Sequence, residues 1–82
     1  MEEVKALIRK YMEDHFEKTK WPFVSKMIIK VQFPEHTEEA LRSLQSEGII
    51  YQRKSVNNLL VQYIDTEEKR EKVRLHFIKI NK

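Results

Sequence analysis

The chain has no cysteine, a single glycine and two prolines in 82 residues. Without cysteine there is no disulfide framework and no thiolate metal site, and the composition fits a reducing compartment. A single glycine excludes a glycine-rich phosphate loop. So little glycine and proline argues against a loop-rich or disordered chain. No apolar run exceeds a few residues, far short of the ~20 that span a bilayer. The first residues, MEEVKALIRK, are acidic and then amphipathic, unlike a signal peptide. The expectation is a cytoplasmic protein with no membrane partner.

What is present is charge. Charged residues make up 35% and hydrophobic residues 40%, enough apolar material for one small domain over residues 1–82. A chain of this size buries only about 60% of its unfolded surface, so the core is modest. The net charge is +3, and its distribution says more than its sum. Residues 34–48 hold four glutamates against Arg42, a net −3, whereas residues 66–82 are net +3. Basic residues therefore surround an acidic segment.

Val4, Leu7, Ile8, Tyr11, Met12 and Phe16 recur at helical spacing and predict a helix over residues 2–19. Trp21-Pro22 stops it. The stretch from Phe23 to Phe33 reads two ways. As a strand, Phe23, Met27, Ile29, Val31 and Phe33 alternate with polar residues; as a helix capped by Ser25, Met27, Ile28 and Val31 form a short apolar face. Thr37, Ala40, Leu41 and Leu44 predict a helix from Pro34 to Glu47, with Pro34 in its first turn. Gly48 stands where a left-handed C-cap needs glycine.

Two short apolar runs follow Gly48. Facing Tyr51 and Tyr63 toward one core pairs those two residues across a three-residue loop, Val56-Asn57-Asn58, with Asn58 left-handed. An Asn57-Asn58 two-residue turn would instead pair Tyr51 with Ile64. Ile49 and Tyr51 are then the core side of one strand, and Leu59, Val61 and Tyr63 that of the other. Asp65-Thr66-Glu67-Glu68 has capping-box spacing, with Asp65 as the cap. A last helix runs to about residue 80. Val73, Phe77 and Ile80 form its docking stripe, while Leu75 and Ile78 form a second stripe that a monomer does not need.

The stretches FPEHTEEALRSLQSEGII and YQRKSVNNLLVQYI resemble the winged helix-turn-helix superfamily over residues 2–64. Ala40, Leu41, Leu44, Gly48 and Ile49 occupy its recognition-helix pattern, VSKMIIKV its preceding helix and WPF its short first strand. The resemblance implies an α+β fold, α-β-α-α-β-β-α, with a two- or three-stranded antiparallel wing sheet. It also implies a non-enzymatic double-stranded DNA-binding protein, a transcription regulator or a replication or mobile-element accessory factor. The rival fold is an α-β-α-β-β-α domain with residues 23–33 as a strand.

The candidate DNA contacts are His36 and Arg42 on the recognition helix, Lys26 and Lys30 on the helix before it, and Arg53, Lys54, Asn57 and Asn58 on the wing. Glu35, Glu38 and Glu39 oppose them, since a carboxylate near a phosphate is repelled. That acidity motivates a second expectation, a protein-interaction module that does not bind DNA. A polar hairpin tip is also commonly just solvated. Leu75 and Ile78 are the candidate dimerisation residues, within a C-terminal helix over residues 66–82.

His15, His36 and His76 have no spacing that suits a metal, and no serine sits in a nucleophile motif. No cofactor, metal or catalytic residue is expected. Trp21, Phe23, Tyr51 and Tyr63 are better explained as core or its seal than as a base-stacking platform.

Overall fold

The apolar stripe of residues 2–19 folds as α1 (Glu2–Thr19) in the computed structural model, which describes residues 2–80. Ile8 and Met12 are fully buried, while Leu7 is turned outward. Lys20 adopts a left-handed φ of 59° and ends the helix. The Pro22 carbonyl then accepts a hydrogen bond from the Tyr63 N–H at 2.8 Å, which starts β1 (Phe23–Ser25).

The ambiguous stretch contains both elements. β1 gives way to α2 (Lys26–Gln32) with Ser25 at its N-cap, though the Ser25 side chain makes no capping bond. Ile29 is the residue α2 buries; Met27, Ile28 and Val31 are exposed, so the apolar face expected to pack inward faces out. The reason is length. A seven-residue helix between two fixed ends reaches the core with one turn, and Ile29 fills that place.

The next helix, α3 (Thr37–Ser46), starts later than Pro34. His36 has a φ of 59°, and a left-handed residue cannot continue a right-handed helix. Thr37 donates its hydroxyl to the Phe33 carbonyl and ties α3 back to the end of α2. Thr37, Ala40, Leu41, Leu44 and Gln45 are buried. At the other end Gly48 has the expected left-handed φ, 78°. Gly48 N–H bonds the Gln45 carbonyl at 3.0 Å and Ile49 N–H the Leu44 carbonyl at 3.0 Å, the paired bonds of a Schellman motif.

The hairpin is β2 (Ile50–Lys54) and β3 (Leu59–Tyr63). β1 joins the far side of β3, giving a three-stranded antiparallel sheet in the order β1-β3-β2. The expected register is off by one. Tyr51 lies opposite Gln62 and Ile50 opposite Tyr63. The chain turns over Ser55–Asn58, closed by Ser55 N–H to the Asn58 carbonyl at 2.7 Å, and no residue in the turn has a positive φ. A one-residue slip moves every side chain to the other face. Ile50 and Val61 are therefore fully buried on the core face, and Tyr51 points the other way. Both sides of β2 are covered, so its Ile49-Ile50-Tyr51 run does not alternate, and alternation was the assumption behind the Tyr51–Tyr63 pairing.

The far side of β2 is covered by α4 (Glu67–Ile80). Ile64 is still hydrogen-bonded to Ile49, at 3.0 Å, so the turn into α4 comes one residue later than the capping box predicts. Thr66, not Asp65, caps it, accepting from the Lys69 N–H at 3.3 Å. Asp65 instead meets Lys69 Nζ at 3.5 Å. Val73 and Phe77 are half-buried as expected, but Ile80 is exposed along with Leu75 and Ile78. Trp21, expected in the seal, is also exposed, its ring tilted against that of Phe23.

The result is an α+β fold of four helices and a three-stranded antiparallel sheet, a layout compatible with a winged helix. Its core gathers Ile8 and Met12 of α1, Ile29 of α2, Ala40, Leu41 and Leu44 of α3, and Val24, Ile50 and Val61 of the sheet.

Candidate nucleic-acid interface

Three polar surfaces surround this core. The first is the outer side of α2 and α3. Lys26 Nζ bonds Glu38 at 2.9 Å and Lys30 Nζ meets the same carboxylate at 3.4 Å. The Lys26 ammonium, bonded to it, is the main cause that holds the Glu38 carboxyl below its ordinary range; Lys30 adds to this and partial desolvation opposes it. Two of the expected phosphate contacts are thus already engaged by a carboxylate. Asn57 and Asn58 at the hairpin tip close over the same hollow, of about 310 Å³, with Met27 and Leu59 as its apolar side. The fold thereby brings Lys26, Lys30, Asn57 and Asn58 together around Glu38.

The remaining predicted residues lie apart from that group. His36, at the N-cap of α3, has Nδ1 3.8 Å from Glu39. The Arg42 guanidinium lies over the Phe77 ring of α4, 5.8 Å from its centroid. α4 therefore flanks the outer stripe of α3, the stripe a major groove would have to receive. Lys54 stands at the base of the tip, the second surface, with Ser55, Val56, Asn57 and Asn58. Val56 at the apex is 96% exposed.

The third surface lies on the opposite side of the sheet. A cleft of about 340 Å³ separates the outer face of β2 and β3 from α4. The sheet supplies Tyr51, Arg53, Gln62 and Ile64; α4 supplies Lys69, Lys72, Val73 and His76. Among the described residues no carboxylate lines it. Asp65, at its edge, engages Lys69 at 3.5 Å, and Glu68, one turn before Lys72, forms no ion pair with it. Arg53 is held twice. Its Nε–H donates to Gln62 Oε1 at 2.6 Å, and its guanidinium lies 5.1 Å from the Tyr51 ring centroid. His76 closes edge-on against the same ring at 5.9 Å.

Of the cleft residues, only Arg53 was singled out from the sequence as a contact. The net +3 of residues 66–82 and the Val73–Phe77 stripe were visible, but not that Lys69, Lys72 and His76 would line a cleft against the sheet. That depends on the register of β2, which sends Tyr51 and Arg53 outward together.

Among the described residues no three His, Asp or Glu side chains gather as a metal site requires, and no helix is long and apolar enough to cross a membrane. Comparison with known proteins identifies no relative: no family model matches the chain, and neither a curated protein nor a solved structure is significantly similar to it.

Proposed function

We propose that this chain is a small non-enzymatic DNA-binding protein of winged-helix type, acting as a transcription regulator or as a replication or mobile-element accessory factor. It holds duplex DNA through its wing and α4 more than through α3. The observation that carries this reading is that part of the uncompensated positive charge lies on the wing and on α4. Arg53 and Lys54 on the hairpin and Lys72 on α4 have no ion-pair partner among the described residues. On α2 and α3, by contrast, Lys26 and Lys30 share Glu38. Non-specific affinity for duplex DNA comes from neutralised phosphates, so the duplex binds where cations are available. The glutamates of α3 keep that helix from acting as a base-reading element. Asn57 and Asn58 at the wing tip supply neutral donors to the sugar-phosphate edge.

The test is a titration of a 20-base-pair duplex at several salt concentrations. Lys54→Ala and Lys72→Ala are each expected to flatten the slope of log K against log salt by about 0.9. Glu38→Gln, which releases Lys26 and Lys30, is expected to tighten binding. Absence of binding at low salt, or slopes unchanged in both lysine variants, overturns the proposal.

A second reading rests on α2. Met27 and Val31 are 71% and 74% exposed, and Ile28 lies beside them. Such an exposed apolar patch, bordered by Ser25 and Gln32, suits a protein partner with an apolar centre. In that reading Met27→Ser with Val31→Ser removes partner binding and leaves DNA binding intact. The flank of α4 carrying Leu75 and Ile78 is the proposed contact for a second copy of the chain.

A further inference from the structure

We infer that the cleft between the hairpin's outer face and α4 is a binding site for one phosphate group. The geometry of Arg53 carries this. Its Nε is bonded to Gln62 at 2.6 Å and its guanidinium lies against Tyr51, so the plane of the group is fixed. Both terminal Nη groups have no acceptor among the described residues. A guanidinium held by Nε with two Nη donors left over is a fork prepared for two oxygens of one anion. Lys72 faces the same cleft without an ion-pair partner among the described residues, and Lys69 presents the donors that Asp65, 3.5 Å away, does not use.

A phosphate group matches this set better than a carboxylate. A carboxylate has two oxygens and one charge, and the Arg53 fork alone satisfies it. A phosphate monoester has three terminal oxygens and close to two charges, which the fork and the two ammonium groups answer together. The cleft, at about 340 Å³, falls within the range of small-ligand sites, roughly 300–1,000 Å³. Its floor of Ile64 and Val73 takes the organic part of an ester. Two sources share this chemistry, a small phosphate ester and a backbone phosphate of DNA. The inference rests on the DNA-binding reading only if the source is DNA.

The experiment is an NMR titration of the ¹⁵N-labelled full chain, observing backbone amides and the Arg53 Nε–H, with four probes in turn: acetate, inorganic phosphate, adenosine 5′-monophosphate and a 20-base-pair duplex at low salt. Arg53→Lys keeps the charge and loses the fork; Lys72→Ala removes an exposed ammonium. Saturable shifts at Arg53, Lys72 and Gln62 are expected with phosphate and the monophosphate, and not with acetate. Arg53→Lys is expected to weaken phosphate binding about tenfold, the effect of losing one charged hydrogen bond. If both small phosphates saturate the cleft and the duplex does not bind, the site stands as one for a phosphate ester and the DNA reading falls. If the duplex shifts Lys54, Asn57 and Asn58 while the cleft stays silent to every probe, the inference is overturned and the DNA reading survives. Unchanged phosphate affinity in Arg53→Lys also overturns it.

Discussion

α3 and α4 lie side by side, yet they are held by different physics. α3 has ten residues, five of them buried; α4 has fourteen and buries none completely. α3 is fixed by apolar packing against α1 and the sheet. α4 is fixed by its arginines. Arg70 Nε donates to the Ile64 carbonyl at 2.9 Å and Nη2 to Tyr63 Oη at 3.0 Å, while Arg74 Nη1 donates to the Glu47 carbonyl at 3.2 Å. The first and last of these bonds satisfy carbonyls just past β3 and at the C-terminus of α3, where orphan acceptors are expected. Hydrophobic burial is worth about 25 cal/mol per Å², whereas a net hydrogen bond contributes about 1 kcal/mol. α3 should therefore leave only with the whole fold, and α4 should open at lower cost. The difference bears on function, because α4 flanks Arg42 and forms one wall of the cleft.

The largest expected effect lies in α3. Leu44→Ala should cost about 2–5 kcal/mol of global stability through cavity formation, measured by urea unfolding, and Val73→Ala on α4 should cost about 1 kcal/mol. Equal losses would break the contrast. Next comes the junction between the helices. A methyl group at Gly48 would overlap the Arg70 carbonyl of α4 as well as strain a residue with a φ of 78°. Gly48→Ala is expected to cost about 1–3 kcal/mol. Hydrogen exchange should show α4 amides losing protection before those of α3; simultaneous loss would mean the two helices open as one unit.

A smaller effect concerns Tyr63, whose hydroxyl lies between Glu13 of α1, at 3.5 Å, and Arg70 of α4. Burial first, and then the Glu13 charge, push its phenol above the ordinary value, with Arg70 opposing. A raised folded-state pKa means the contribution is complete below the unfolded value of about 10 and is lost as pH rises through the folded one. Stability should fall in that alkaline window by about 1 kcal/mol or less, and Tyr63→Phe should remove that part of the decline. An unchanged alkaline profile in the variant would remove Tyr63 as the joint between α1 and α4. The smallest change in stability is expected from Leu75→Ser with Ile78→Ser, within about 0.5 kcal/mol because both residues are exposed. Sedimentation should nevertheless show a dimer of the parent chain becoming a monomer. A monomeric parent would leave that flank of α4 without a role in self-association.

How much could be read beforehand follows the same division. α1 and α3 each carry one apolar stripe, and both were legible to within a few residues. Gly48 was legible because a single glycine after a helical stripe has few other uses. His36 hid the true start of α3, since its left-handed backbone leaves no mark in the apolar pattern. The outward face of α2 was misread because Met27, Ile28 and Val31 outnumber Ile29, and apolar spacing does not say which side meets a core. Of the candidate contacts, Lys26, Lys30, Asn57 and Asn58 do converge, but around Glu38, a carboxylate that sequence separation conceals.

The sequence by itself determined the order of elements outside residues 23–33, the Schellman stop at Gly48 and the burial of Leu41 and Leu44. These depend on local backbone preference and on side chains one helical turn apart. Tertiary structure decided the hairpin register, the side of β2 on which Tyr51 and Arg53 lie, and the partners of each lysine. Those depend on α4 covering the sheet's second face, and on charges brought together from positions up to a dozen or more residues apart, which no local pattern encodes.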